Sequence, residues 1–171
     1  MKRRGTTERI SAPVPLTADH DLSEFDCGEP ALNDWLKTRA LRNESRFSRT
    51  YVVPQGDRVV AYFCISAGAV RRGAAPAQLR RNAPEPIPVA IIGRLAVSRG
   101  QAGKGLGADI LADALRRIAA ASQSIGIAAV VVQAKNEMAR GFYMACAKFV
   151  EYPDDSRTLF LPIDRVIANS R

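Results

Sequence analysis

Runs of apolar residues separated by turn-forming residues predict several β-strands. The segment "VVAYFCISAGAV" at 59–70 is almost continuously apolar, and "PQGD" separates it from "RTYVV", so the two runs predict a β-hairpin. Three later runs, "VAIIGRLAV", "AAVVVQAK" and "TLFLPI", predict further strands because they are rich in β-branched residues. These runs together predict a β-sheet.

Apolar residues at a spacing of three to four predict helices between these strands. The segment "EPALNDWLKTRALRNESR" predicts one amphipathic helix with Leu32, Trp35, Leu36 and Ala40 on its apolar face. A second predicted helix has an apolar face formed by Ile110, Leu111, Ala114, Leu115, Ile118 and Ala119, and a third runs from Asn136 to about Ala147. The proline-rich segment "GAAPAQLRRNAPEPIP" predicts a long loop with a short helical turn around Gln78. An early hairpin and a late β-α-β unit favour an α/β domain with a mixed sheet.

Composition and charge narrow the class of protein. With 171 residues, 47% of them hydrophobic, the chain is expected to form one domain over residues 1–171, with residues 1–12 as a flexible lead. The 25 Lys and Arg exceed the 17 Asp and Glu, and a net charge of +8 favours a polyanionic partner. Three widely spaced cysteines predict neither a disulfide framework nor a zinc site, and we expect no metal. No secretory signal follows the basic start, so we expect a cytoplasmic protein with no membrane partner.

A glycine-rich turn joins the strand "VAIIGRLAV" to the second predicted helix. Gly103, Gly105 and Gly107 remove β-carbons there, and Lys104 adds a positive charge. A helix N-terminus presents unpaired N–H groups and the positive end of the helix dipole, so the turn predicts phosphate binding. It lacks the Gly-Lys-Ser or Gly-Lys-Thr ending of a P-loop and the dinucleotide fingerprint. A strand-to-helix turn without a ligand is the alternative.

This turn resembles the phosphate loop of the GNAT superfamily of N-acetyltransferases, Arg/Gln-x-x-Gly-x-Gly/Ala. Gly105-Leu106-Gly107 matches its last three positions, while the first position falls on Ala102, one place after Gln101. The resemblance implies a GNAT fold: a single mixed, largely antiparallel sheet with a splayed central strand pair and flanking helices. It also implies acetyl-coenzyme A as cosubstrate, with its pyrophosphate on the turn and its pantetheine beside "GRLAV". The cofactor-binding residues implied are Leu95, Ala96, Val97, Gly103, Lys104, Gly105, Leu106, Gly107 and Asn136.

The segment "NEMARGFYMACAKF" carries the candidate catalytic residue. Asn136 and Tyr143 are seven positions apart, which at about 100° per residue is within ~20° of two helical turns, so both are expected on one helix face. In the GNAT family an asparagine here contacts the pantetheine, and a tyrosine here protonates the departing thiolate. A phenol with a pKa of about 10 is protonated at neutral pH and can act as that acid. The alternative places Phe142 and Tyr143 in an aromatic core.

His20 and the aspartate pair at 154–155 are two further candidates for catalysis, and the sequence favours a non-catalytic role for each. His20 is the only histidine, and its position in "TADHDLSEFD" favours a surface or capping role over catalysis. Asp154 and Asp155 follow a proline, and we expect a solvated turn there.

Four segments resemble the TacT-type GNAT toxins of bacterial toxin–antitoxin systems. They are "LSEFDCGEPALNDWLKTRA", "SRTYVV", "IGRLAVSRGQAGKGLGADIL" and "CAKFVEYPDDSRTLFLPID", in this order. The resemblance implies acetyl transfer to the α-amine of aminoacyl-tRNA, which inhibits translation. It also implies a ribbon-helix-helix antitoxin as partner and a homodimer.

Clusters of basic residues agree with a tRNA substrate. Arginines bracket the proline-rich loop, and Lys37, Arg39, Arg42 and Arg46 lie on the first predicted helix. The expected tRNA-binding residues are Lys37, Arg71, Arg72, Arg80, Arg81 and Arg94. An α-amine has a pKa near 8 against about 10.4 for lysine, so the reaction needs little help from a general base. A GNAT enzyme for a small amine or a protein N-terminus, and a non-catalytic acetyl-coenzyme A-binding module, stay open as alternatives.

Overall fold

The computed structural model describes residues 8–170, whose strands form one seven-stranded sheet. The strands are β1 (Val14–Pro15), β2 (Arg49–Gln55), β3 (Arg58–Val70), β4 (Ile87–Val97), β5 (Ala129–Gln133), β6 (Val150–Tyr152) and β7 (Asp155–Pro162). Their order is β1-β2-β3-β4-β5-β7-β6, with β4 and β5 parallel and the pairs β1–β2, β5–β7 and β6–β7 antiparallel. The predicted fold class, a single mixed and largely antiparallel sheet, is confirmed.

The parallel pairing with β5 involves only part of β4. Its register runs from Val89↔Ala129 to Ile92↔Val132, whereas β4 itself continues to Val97. The last part of β4, with Leu95 to Val97, leads directly into the glycine turn.

Six α-helices accompany the sheet in the described part of the chain, besides two 3-10 helices at Arg72–Ala74 and Arg99–Gln101. They are α1 (Pro30–Thr38), α2 (Ala40–Asn43), α3 (Ala77–Arg80), α4 (Leu106–Ala121), α5 (Glu137–Cys146) and α6 (Ile163–Asn169). The predicted apolar face of α4 is buried from Ile110 to Ile118. The helical turn predicted around Gln78 is α3.

The structure differs from the sequence-based expectations at several elements. The single helix predicted for residues 29–46 is wrong: Arg39 has φ −124° and ψ −27°, which leaves the helical conformation and separates α1 from α2. Ala40 is nevertheless fully buried, because the second helix turns it back towards the core. The two-residue β1, the three-residue β6 and the helix α6 were not predicted.

The chain forms two compact units. One contains residues 8–64 together with Arg94–Ile110, and the other contains Ile65–Gly93 together with residues 111–170. The first has its own core around Phe25, Leu36 and Tyr62, and the second has one around Ile87 and Phe160. Of the expected flexible lead, residues 1–7 lie outside the described residues, while the Ser11 amide donates to the Pro54 carbonyl. No helix between residues 8 and 170 combines the length and the apolar character that a membrane crossing requires.

Candidate functional site

The glycine turn leaves the N-terminus of α4 open to solvent. Gly103 and Gly105 have φ of +75° and +83°, a left-handed conformation that favours glycine. A β-carbon at either position would meet no heavy atom within 4 Å, so the backbone conformation requires glycine while the space outside stays open. The Gly105 carbonyl accepts the first helical hydrogen bond, from the Asp109 amide at 3.1 Å. The amides of residues 106–108 therefore have no carbonyl of their own helix to bind, and they can bind an anion.

The start of this turn is fixed by a loop that the sequence analysis missed. The Arg99 amide donates to the Asp26 carbonyl at 2.9 Å, and the Arg99 guanidinium lies 3.7 Å from the Asp26 carboxylate. That carboxylate also accepts bonds from the Gly28 amide at 2.9 Å and the Asn33 side chain at 3.0 Å. The Gly28 amide, and then Asn33 and Arg99, hold the pKa of Asp26 below its usual value of 3.8. We call Asp26, Asn33, Ser98 and Arg99 the Asp26 latch.

The latch has a signal in the sequence, although a weak one. The stretch "DCGEPALN" places an aspartate two residues before a glycine and seven before an asparagine, and Gly28 has φ +91°. An aspartate followed by a left-handed glycine is typical of a tight side-chain-capped turn. The contact to Ser98, whose hydroxyl lies 3.4 Å from the Asp26 carbonyl, depends on the tertiary fold.

Arg94 is held by an aromatic stack in the first unit. Its guanidinium carbon lies 4.1 Å from the centroid of the Trp35 ring, in cation–π geometry. Trp35 in turn stacks on Tyr62 with 10° between the ring planes, and the Tyr62 hydroxyl donates to the Leu32 carbonyl at 2.8 Å. Burial raises the pKa of Tyr62 far above its usual range, so this hydroxyl stays protonated. Arg94 therefore presents its charge from a fixed position.

Asn136 begins α5 as its N-cap rather than as a helical residue. Its backbone is extended, with φ −159° and ψ 179°, so the helical-wheel angle to Tyr143 does not apply to it. Its side-chain oxygen accepts a hydrogen bond from the Ala139 amide at 2.8 Å. Within residues 8–170 its side-chain nitrogen donates to no other group, and it stays available to a ligand.

The ring of Tyr143 packs in an aromatic cluster on α5. It meets the edge of Phe142 at 5.3 Å and that of Phe149 at 5.7 Å between centroids, and only 7% of the residue is exposed. The aromatic packing expected for the alternative interpretation is therefore present. Such packing also fixes the position of the hydroxyl, which a catalytic acid requires.

The arginines beside the proline-rich loop carry uncompensated charge. Their side chains are exposed, and among the described residues none of the four lies in an ion pair. These residues are Arg71, Arg72, Arg80 and Arg81. Other arginines behave differently, since Arg116 and Arg117 both pair with Asp113, at 3.7 and 2.7 Å. The Glu85 carboxylate of this loop accepts from the Arg72 amide at 3.0 Å, so four guanidinium groups and one carboxylate leave an excess of positive charge there.

The predicted site residues are distributed over the two compact units. The first unit contains the glycine turn, Leu95, Ala96 and Val97 together with Lys37 and Arg94. The second contains Asn136, Tyr143 and the four loop arginines. His20 has the local role expected for it, because its Nδ1 accepts a hydrogen bond from the Thr17 amide at 3.0 Å.

The architecture of sheet, glycine turn and capped α5 is that of an acyltransferase. Residues 16–148 match the acetyltransferase (GNAT) family, a range that includes both the glycine turn and α5. The chain belongs to this family, and the predicted acetyl-coenzyme A-dependent acyl transfer is confirmed.

Several proteins similar to this chain have more specific names. A tRNA-acetylating toxin of Mycobacterium tuberculosis (strain ATCC 25618 / H37Rv) is 42% identical over 135 residues, which is 78% of this chain and 81% of the relative. The solved structure of AtaT complexed with acetyl-methionyl-tRNAfMet is 32% identical, with a TM-score of 0.82 over 90% of this chain and 95% of that one. A tyrosine-to-phenylalanine variant of AtaT bound to acetyl-CoA and the C-terminus of the antitoxin AtaR is 31% identical, with a TM-score of 0.77 over 91% and 94% of the two chains. The resemblance to the TacT-type toxins is confirmed.

Proposed function

We propose that this protein transfers the acetyl group of acetyl-coenzyme A to the α-amine of the amino acid on aminoacyl-tRNA, and so inhibits translation. The likeness to the mycobacterial tRNA-acetylating toxin carries this proposal. The uncompensated arginines of the proline-rich loop support it, because a tRNA is a polyanion. A tRNA substrate agrees with a cytoplasmic location.

The residues of the glycine turn fit the pyrophosphate of acetyl-coenzyme A. The free amides at the start of α4 point outward from an open turn, and exposed Lys104 adds a positive charge beside them. The end of β4, from Leu95 to Val97, would offer backbone groups to the pantetheine, and the free side-chain nitrogen of Asn136 would donate to it. When bound, the cosubstrate supplies an acetyl group activated as a thioester.

Tyr143 supplies the proton that the departing sulfur takes up, and water then returns a proton to its phenolate. The amine nitrogen forms a bond to the acetyl carbon, the bond from that carbon to sulfur breaks, and the phenol proton passes to the departing sulfur. The proton lost by the amine passes to water. Because an α-amine has a pKa near 8, a useful fraction is already neutral at physiological pH. The side chain of Tyr143 therefore has the one acid–base role in this scheme.

The proposed macromolecular partners are tRNA, an antitoxin and a second copy of the enzyme. Lys37, Arg94 and the loop arginines Arg71, Arg72, Arg80 and Arg81 would bind the tRNA phosphates. The antitoxin would be a small protein of the ribbon-helix-helix type that neutralises the enzyme, and the enzyme itself would be a homodimer. The AtaT complex with the AtaR C-terminus supports an antitoxin partner.

The test is Tyr143→Phe, which removes the proton donor and keeps the ring in its cluster. We expect acetyl transfer to charged tRNA to slow by about 10²–10⁴ in single turnover at saturating acetyl-coenzyme A. Acetyl-coenzyme A affinity and thermal stability should stay near those of the wild type, because the ring contacts to Phe142 and Phe149 remain.

Tyr152→Phe is the matched control. Its ring packs on Phe160 in the same compact unit, and its hydroxyl is buried without a hydrogen-bond partner among the described residues. This variant should transfer acetyl at the wild-type rate. A Tyr143→Phe enzyme within about twofold of wild type would show that Tyr143 only packs.

A further inference from the structure

The turn after α2 exposes an aromatic ring that follows two arginines in the sequence. Phe47 is 71% exposed, and Leu41 on the preceding helix is 47% exposed. Within residues 8–170, Phe47 is the one aromatic residue among the strongly exposed large hydrophobic side chains. We call Leu41, Arg42, Arg46 and Phe47 the arginine–aromatic turn. A single exposed apolar side chain is common on protein surfaces, and this ring differs by the arginines close to it in the sequence.

The backbone beneath Phe47 is well fixed. The Asn43 carbonyl accepts hydrogen bonds from the amides of Arg46, Phe47 and Ser48, at 3.2, 2.9 and 3.2 Å. Two residues further on, the Thr50 amide donates to the Glu44 carboxylate at 2.7 Å. The backbone that carries the ring is therefore fixed, so binding would have to order only the side chain of Phe47.

The charge around the ring is positive and uncompensated. Arg42 and Arg46 are exposed, and neither forms an ion pair with a described residue. Glu44, the carboxylate in the same turn, is partly buried and is engaged by the Thr50 amide and the nearby Arg49. The turn therefore carries two guanidinium groups that lie in no ion pair of the described chain, and one of them belongs to the residue before the aromatic ring.

This combination favours RNA with unpaired bases over other partners. A protein that covered Phe47 with an apolar surface would have to remove Arg42 and Arg46 from water without pairing them, which is costly. A nucleic acid duplex pairs well with arginines but hides the faces of its bases. Unpaired nucleotides offer phosphates and free base faces together, and aromatic side chains commonly stack on such bases.

We propose that Phe47 stacks on an unpaired base of the RNA substrate while Arg42 and Arg46 bind the neighbouring phosphates. This inference rests on the proposed function, under which the unpaired strand is the 3′ acceptor end of the tRNA. Phe47 is then a substrate-positioning residue that recognises single-stranded RNA through its base rather than its charge.

The test compares two RNA probes and three variants by equilibrium binding. The probes are a minihelix with a single-stranded 3′ overhang and the same minihelix with a blunt end. Phe47→Leu keeps an apolar side chain but removes the aromatic face, so it should weaken binding of the overhang probe between about five- and hundredfold. Binding of the blunt probe should stay within twofold. Phe47→Tyr should restore overhang binding, while Arg46→Gln should weaken both probes in a salt-dependent way.

Each possible result either supports or contradicts the stacking of Phe47 on an unpaired base. Equal effects of Phe47→Leu on both probes, or no effect on either, would overturn the stacking contact. A change of Phe47→Leu from dimer to monomer in sedimentation would assign the ring to an interface between copies, and would also overturn it. If wild type neither binds the overhang probe nor acetylates aminoacyl-tRNA, the proposed function fails as well. If wild type acetylates aminoacyl-tRNA and Phe47→Leu is unchanged, only this inference fails.

Discussion

At the scale of single residues, Asn136 has a hydrogen-bonding oxygen and a hydrogen-bonding nitrogen, and the fold uses only the oxygen. The oxygen caps α5 by accepting from the Ala139 amide. The nitrogen has no partner among the described residues. A structural role and a ligand-binding role can therefore be separated in one side chain.

Asn136→Asp tests that separation. Aspartate caps a helix about as well as asparagine, and its charge interacts favourably with the helix N-terminus, so thermal stability should be kept. Aspartate has no N–H donor, so affinity for acetyl-coenzyme A should fall about five- to tenfold, as expected for one lost hydrogen bond. Isothermal calorimetry and thermal unfolding measure the two effects.

Asn136→Ala serves as the comparison, because it removes both atoms. It should lose about 1 kcal/mol of folding stability in addition to the affinity. If Asn136→Asp bound acetyl-coenzyme A as well as the wild type, the side chain would be a cap and nothing more.

At the scale of elements, the turn requires glycine because of its backbone conformation, and not because a β-carbon would clash with a neighbouring atom. Gly105 is left-handed and faces open space, whereas Gly100, one turn earlier, also faces open space but has an ordinary φ. Neither position would crowd a β-carbon, and only Gly105 has the left-handed conformation.

Gly105→Ala should therefore lower the free energy of unfolding by about 1–2 kcal/mol, because a β-carbon disfavours the left-handed region. The strain should also displace the amides at the start of α4 and weaken acetyl-coenzyme A binding. Denaturant unfolding and calorimetry measure these changes. Gly100→Ala should change neither, and equal behaviour of the two variants would refute a conformational requirement at Gly105.

The same contrast explains how much of the fold and the site could be predicted from the sequence. A long helix such as α4 repeats its apolar spacing over several turns, and a left-handed turn nearly requires glycine. Both can therefore be recognised from the local sequence. The short β1 exists because Val14 pairs with Val52, and β6 because Val150 pairs with Phe160, so their signals lie elsewhere in the chain. The break at Arg39 follows from tertiary packing, since neither proline nor glycine marks it.

At the scale of the whole molecule, the net charge is +8, and the arginines that contribute to it fall into two groups. Some, such as Arg116 and Arg117, share a carboxylate on their own helix. Others, such as Arg80 and Arg81 beside the proline-rich loop, are exposed and outside any ion pair of the described chain. The second group supplies the counterion release expected on RNA binding.

Arg80→Gln with Arg81→Gln should therefore weaken tRNA binding and reduce the slope of log affinity against log salt by about 1 per arginine. Acetyl-coenzyme A affinity should not change. Fluorescence titration over a range of salt concentrations measures the slope. Arg116→Gln with Arg117→Gln removes the same charge and should leave the slope unaltered; a similar decrease in both double variants would mean that net charge alone determines affinity.

The Asp26 latch limits how this protein can be recombined with its relatives. Asp26 and Asn33 belong to the loop and helix around α1, but the groups they hold, Ser98 and Arg99, begin the glycine turn. A chimaera that exchanges only the first segment would separate the two halves of one hydrogen-bonded cluster. Crossover points that keep residues 26–33 and 98–99 from the same parent should yield folded hybrids. The latch residues must therefore be exchanged together, although they lie far apart in the gene.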